Sequence, residues 1–168
     1  AMAMLLSVFA EALSGKNALE GKSRLLGRLG ERIASPLVTL VDDPTLEKGL
    51  LSRPFDAEGT PTARTVVVEK GVFKTFLHNL ETAKALGQRN TGHAARSYRG
   101  TLGVAPTNLY LEPVGNLALT DGVVVTEFMG LHAGANPVTL DFGLREPHRG
   151  GGRALLRRGV TPPRSKEA

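Results

Sequence analysis

The chain is 168 residues long, which suits one domain and leaves no room for two well-buried ones. Hydrophobic residues make up 41% and charged residues 22%, a composition that fits neither a disordered chain nor a membrane-spanning bundle. There is no Cys, which removes disulfides, thiolate ligands and a Cys nucleophile and agrees with a reducing cytoplasm.

The net charge of +5 raises the question of a nucleic-acid or membrane-surface partner, and its distribution answers it. Residues 1–144 hold fourteen basic and fourteen acidic side chains and are neutral. Residues 145–168 hold the remaining seven basic side chains against Glu146 and Glu167, so the whole excess lies there. The body is neutral and the tail is basic.

The opening AMAMLLSVFAEALSG lacks the basic start of a signal peptide, and Glu11 interrupts it short of the ~20 apolar residues a membrane span needs. Met4, Leu5, Val8, Phe9, Ala12 and Leu13 recur at helical spacing, predicting an amphipathic helix that Gly15 ends. LVTLVDDP, residues 37–44, reads as a strand stopped by two carboxylates and a proline. A hairpin follows, with Val66–Val68 and Val72–Leu77 as its arms and Glu69, Lys70 and Gly71 as its turn. Asn79 is placed to cap a short helix through Leu86, and Gly87 to close it. NLYLEPV, GVVVTEF and NPVTLDF supply further strands. The expected fold class is α+β: a mainly antiparallel sheet with an N-terminal amphipathic helix and short helices, over residues 1–144. The tail, residues 145–168, is rich in Arg, Gly and Pro with little to bury, and is expected to be mobile.

Several motifs invite a chemical reading and lose to a plainer one. GKNALEGKS, residues 15–23, imitates a P-loop, but five residues separate its glycines where four are needed to curl the backbone round phosphates. A polar loop is expected there. His78, His93, His132 and His148 are too dispersed to place two imidazoles on one helical face, so no local metal motif exists. Asp56 and Glu58 could face one side of an extended segment as an acid/base pair, yet Pro54, Gly59 and Pro61 argue for a turn in which Asp56 accepts backbone N–H groups. NTGHAARSYRG, residues 90–100, mixes small and polar residues without a period. Such a segment is either a binding loop, with Gly92 admitting a ligand backbone, or a plain connection.

PFDAEGTPTARTVVVEKGVFKTFLHNLETAKALG, NTGHAARSYRG, NLYLEP and GVVVTEFMGLHAGANPVTLDF, in that order, resemble the C-terminal domain of the TldD/PmbA family, also called modulators of DNA gyrase. The resemblance implies a two-subunit cytoplasmic metalloprotease acting on unfolded or extended peptides. In TldD-type chains the helix near the start of this domain carries H-E-x-x-x-H. The matching positions here are Leu6, Ser7 and Glu11, and the Cys that completes the metal site has no counterpart. The chain thus resembles the non-catalytic TldE/PmbA-type subunit, with no cofactor or metal of its own expected. Its expected partners are a TldD-type subunit, an unfolded peptide and further copies in an oligomer. Thr91, Gly92, His93 and Arg96 are the expected peptide contacts.

Two other functions compete. A nucleic-acid or gyrase-associated module would use the basic tail, but a binding face should include the neutral body, which has few aromatics to stack on bases. An active metallopeptidase would need ligands from another chain. After DFGL the family continues with further sheet where this chain turns basic, as an out-of-frame reading of a GC-rich gene would produce.

Overall fold

The first helix forms where the apolar stripe predicts it. A computed structural model of the chain describes residues 2–115 and strand segments at 123–129, 135–136, 141–142 and 153–158. Helix α1 covers Met2–Ala10, a 3-10 turn covers Glu11–Leu13, and α2 runs over Gly15–Leu19. Gly15 therefore opens a second helix instead of ending the first, and the P-loop look-alike begins as a helix where a loop was expected. The chain bends here for a packing reason: a Cβ on Gly15 would lie 2.5 Å from His78 Nδ1 and 3.0 Å from the Leu77 carbonyl. That close approach lets Gly15 N–H donate to Leu77 at 2.9 Å while Leu77 N–H donates to Leu13 at 2.8 Å.

Strand β1 (Leu40–Asp42) starts three residues later than the Leu37 expected, because Leu37 is half exposed and Val38 closes a turn onto Ser35, and it runs on through Asp42, expected to stop it. Strands β2 (Thr65–Glu69) and β3 (Val72–Phe73) form the expected hairpin, but its second arm stops at Phe73 where Leu77 was expected, and Glu69, expected in the turn, pairs with Val72. Lys70 and Gly71 have φ of 46° and 82°, the left-handed pair that matches strand twist in a two-residue turn. Gly71 has a second reason to be glycine, since a Cβ would strike the carbonyls of Ala34 and Ser35. Helix α3 (Leu80–Leu86) is capped as expected. Asn79 accepts from Thr82 N–H at 2.9 Å, the Thr82 hydroxyl answers the Asn79 N–H, and Gly87 closes the helix at φ 63°.

Strands β4 (Ala94–Ala95) and β5 (Gly103–Val104) pair with each other, and β6 (Leu109–Leu111) completes a four-stranded antiparallel sheet of order β3-β2-β1-β6. This α+β architecture has the antiparallel sheet and short helices expected of it. Strand β7 (Val123–Met129) forms as expected, and the NPVTLDF run contributes the start and end of a small pair, β8 (Ala135–Asn136) with β9 (Asp141–Phe142). Residues 137–140 lie outside the described residues. Within the tail, expected to be mobile, β10 (Arg153–Arg158) pairs antiparallel with β7. The rest of the tail lies outside the described residues.

The core sits between the helices and the sheet: Leu13, Leu25, Leu40, Val67, Val68, Phe73, Phe76 and Leu77. Phe73 and Phe76 meet edge to face at 4.8 Å, a pairing favourable by ~0.5–1.5 kcal/mol beyond burial. Among the described residues no helix is long and apolar enough to cross a membrane.

Candidate functional site

The sheet brings together polar side chains that are far apart in sequence. Asp42, at the end of β1, is fully buried and accepts three hydrogen bonds. One comes from Thr107 N–H at 2.8 Å and one from the Thr107 hydroxyl, and His93 Nε2 lies 2.8 Å from Oδ2. On its other side His93 Nδ1 is 2.8 Å from Thr91 Oγ1. Carboxylate, imidazole and hydroxyl thus follow one another as in a nucleophilic triad. The hydroxyl is already engaged, because Thr91 Oγ1 accepts from His78 N–H at 2.7 Å and donates to the His78 carbonyl at 3.2 Å. Asp42 and His93 have no exposed surface. The arrangement fixes the 90–95 loop onto β1 and leaves no hydroxyl poised to attack a carbonyl.

His78 packs beside this cluster. Its Nδ1 lies 3.1 Å from Thr82 Oγ1 and its Nε2 has no partner. Burial first, and the neighbouring His93 second, push its pKa down to about 4, so His78 is neutral at ordinary pH. A neutral ring with one bare nitrogen is tolerable there, whereas an imidazolium would bury an uncompensated charge.

Asp56 fills the turn role expected of it: Oδ1 accepts from Glu58 and Thr60 N–H at 2.9 Å each, and Oδ2 accepts from Ala94 N–H at 3.0 Å. Glu58 is no acid/base partner, since its Oε2 accepts from Leu80 N–H at 2.9 Å at the start of α3. The 56–60 turn and the 90–95 loop therefore form one cross-braced unit.

The four expected peptide contacts divide. Gly92 and His93 are buried, Thr91 is partly buried and Arg96 is exposed. Gly92, at φ 71°, does allow a close backbone approach, but the chain's own Pro61 carbonyl occupies it, 3.0 Å from where a Cβ would stand. Of the four, Thr91 lines a surface cleft of about 380 Å³. The remaining cleft walls come from Pro61, from Ala63 to Thr65, from Lys74 and Thr75, and from Gln88 to Asn90. Sequence reasoning missed Arg64, Lys74 and Arg89 here, because nothing local marks residues 25 apart as neighbours.

The helix positions matching the family's metal motif can also be inspected. Leu6 packs on the core, and Glu11 Oε2 is held by Asn17 Nδ2 at 2.9 Å. Leu6, Ser7 and Ala10 face Pro106, Thr107 and Leu109 across a cavity of about 220 Å³, whose side-chain polar groups are two hydroxyls. The Thr107 hydroxyl is committed to Asp42. Such a lining does not fit zinc, which takes imidazole, thiolate or carboxylate ligands. Among the described residues no group of three or more His, Cys, Asp or Glu side chains is placed to hold a metal ion.

The fold and these motifs define a metallopeptidase-family C-terminal domain. Residues 1–146 match the model of the PmbA/TldA metallopeptidase C-terminal domain, and the chain belongs to the TldD/PmbA family. An uncharacterized protein of Methanocaldococcus jannaschii is 38% identical over 133 residues, covering 78% of this chain and 32% of the relative. The metalloprotease PmbA of Escherichia coli O157:H7 is 33% identical over 131 residues, covering 78% and 28%. Among solved structures, a Thermotoga maritima protein described as a candidate modulator of a DNA gyrase superposes with TM-score 0.70 at 42% identity, covering 80% of this chain and 32% of that one. TldE from Thermococcus kodakarensis superposes with TM-score 0.69 at 26% identity, covering 95% and 39%. The chain spans about a third of the length of these relatives.

Proposed function

We propose that this chain is a non-catalytic, TldE/PmbA-type subunit, or part of one, in a cytoplasmic peptidase assembly that processes unfolded peptides. The observation that carries the reading is the α1 face. By the resemblance, Leu6 and Ser7 on α1 and Glu11 in the 3-10 turn after it take the positions of the first His, the Glu and the second His of the catalytic motif, and Glu11 is engaged by Asn17. A single carboxylate cannot replace a three-ligand site that keeps water in the fourth position. The catalytic metal belongs to a TldD-type partner on this reading, and this chain supplies binding surface. An open strand edge suits that role, because backbone pairing holds an extended chain with little demand on its sequence.

The test is metal analysis of the purified chain together with peptide cleavage, alone and after mixing with a TldD-type subunit. The expected result is no stoichiometric zinc and no cleavage alone, with cleavage appearing in the mixture. One tightly bound zinc with intrinsic proteolysis would overturn the reading.

A further inference from the structure

The 380 Å³ cleft has a marked chemical bias. Three of its lining residues, Arg64, Lys74 and Arg89, are cationic, and none is acidic. Thr65, Thr75, Gln88, Asn90 and Thr91 add hydroxyls and amides. The cleft opens where the β2–β3 hairpin stops pairing: Lys74 N–H donates to Val67 at 2.9 Å, and beyond that rung the segments at 63–65 and 74–75 become its opposite walls. One wall is therefore extended backbone running into β2.

The cations differ in readiness. Arg64 is held by Glu112 and by a hydrogen bond with Tyr110, and Lys74 meets Glu69 at 3.0 Å, but both ion pairs are about half exposed and exposed pairs contribute little, so they open readily. Arg89 is exposed, has no acidic partner among the described residues, and directly precedes two residues held by hydrogen bonds. Asn90 Nδ2 donates to Thr60 Oγ1 at 3.1 Å, Asn90 Oδ1 accepts from Gly92 N–H at 3.0 Å, and Thr91 is tied to His78 and His93. An unpaired cation next to an anchored stretch and beside extended backbone is a receptor for an anionic group carried on an extended chain. No aromatic side chain lines the cleft, so it offers no stacking platform for bases, and a peptide carboxylate fits better than single-stranded nucleic acid.

We propose that this cleft binds an acidic stretch of an extended polypeptide, with Arg89 as the principal carboxylate contact and Lys74 and Arg64 as secondary ones. The proposal rests on the peptide-binding reading above and adds the charge class of the peptide. It accounts for Thr91, the expected contact that reaches this surface. The buried Asp42 and His93 then act as positioning residues, which hold the cleft wall without touching the ligand.

The experiment measures binding of fluorescein-labelled, unstructured peptides to the full chain by anisotropy at low salt. One peptide carries Glu at spaced positions, and otherwise identical ones carry Gln or Lys. The Glu peptide is expected to bind about tenfold more tightly than the Gln peptide, with an advantage that salt erodes. Arg89→Glu is expected to abolish that advantage and to favour the Lys peptide. A tail variant, Arg157→Glu with Arg158→Glu, is expected to keep the Glu preference. Equal binding of Glu and Gln peptides, or a preference that follows the tail variant and ignores Arg89→Glu, overturns the proposal alone. No binding by any peptide overturns the peptide-binding reading as well. Displacement of the Glu peptide by inorganic phosphate or a single-stranded oligonucleotide at comparable concentration assigns the cleft to other anions and overturns the proposal.

Discussion

Replacing Asp42 with Ala tests whether the buried network at the end of β1 holds the domain together. The substitution strips the acceptor from three donors at once: His93 Nε2, Thr107 N–H and the Thr107 hydroxyl. Leaving one buried donor unsatisfied costs ~1–3 kcal/mol, so three donors, relaxed in part by shifts of the Thr107 loop, give a cost on the order of 4–6 kcal/mol. That approaches the whole stability of an ordinary domain, ~5–15 kcal/mol. Urea unfolding followed by far-UV circular dichroism should show a much lower midpoint or no cooperative transition. Asp42→Asn keeps the volume and provides a folded fallback with a smaller loss. A double-mutant cycle with His93→Ala should return a coupling energy of ~1–3 kcal/mol, because the two side chains share one contact. If Asp42→Ala shifts stability by less than ~1 kcal/mol, the pairing is incidental and the account of the 90–95 loop is wrong.

Two more outcomes follow from the same neighbourhood. Gly15→Ala would drive a methyl group into the His78 ring and the Leu77 carbonyl, overpacking that typically costs ~1–3 kcal/mol, and thermal denaturation should register the drop; an unchanged Tm would show that the α1–α2 bend is not set by this contact. His78 has a folded-state pKa of about 4 against an ordinary 6.5, so the unfolded chain takes up the proton first. The stability tied to neutral His78 is therefore intact above about pH 6.5 and lost as pH falls toward 4, and His78→Phe should flatten that part of the urea-midpoint profile relative to the parent chain; parallel profiles would refute it.

The parts of the fold that local chemistry specifies were legible in the sequence. Glu69 to Gly71 read as a turn between apolar runs, which the structure narrows to Lys70 and Gly71, Asn79 and Gly87 bracket α3, and Asp56 sits among turn residues. Each signal acts within four residues, and each appears in the structure. The candidate site was legible only in outline, because its assembly is non-local. The residue type of Asp42 read as a strand stop, whereas Asp42 is the last residue of β1, paired with β6 and buried beside Thr107. His93 looked like a binding-loop residue because small polar neighbours surround it, but its partner lies 51 positions away. Arg89 carries no local signal of its own. It matters only because the end of the β2–β3 hairpin places Lys74 and Arg64 on the same cleft. The basic tail carried no alternation to mark Arg153–Arg158 as a strand, and its pairing with β7 came from elsewhere in the chain.

The central position of β1 has a consequence for how the chain is made. β1 pairs with β2, which follows it closely, and with β6, whose residues arrive much later. At ~5–20 residues per second, the 65 positions between Asp42 and Thr107 take about 3–13 s to be synthesised. Throughout that interval a carboxylate destined for burial must stay in water, so β1, β2 and β3 cannot close their final core until β6 has been made. The nascent domain waits with one strand edge open, and that edge is where a chaperone or a premature neighbour would first take hold.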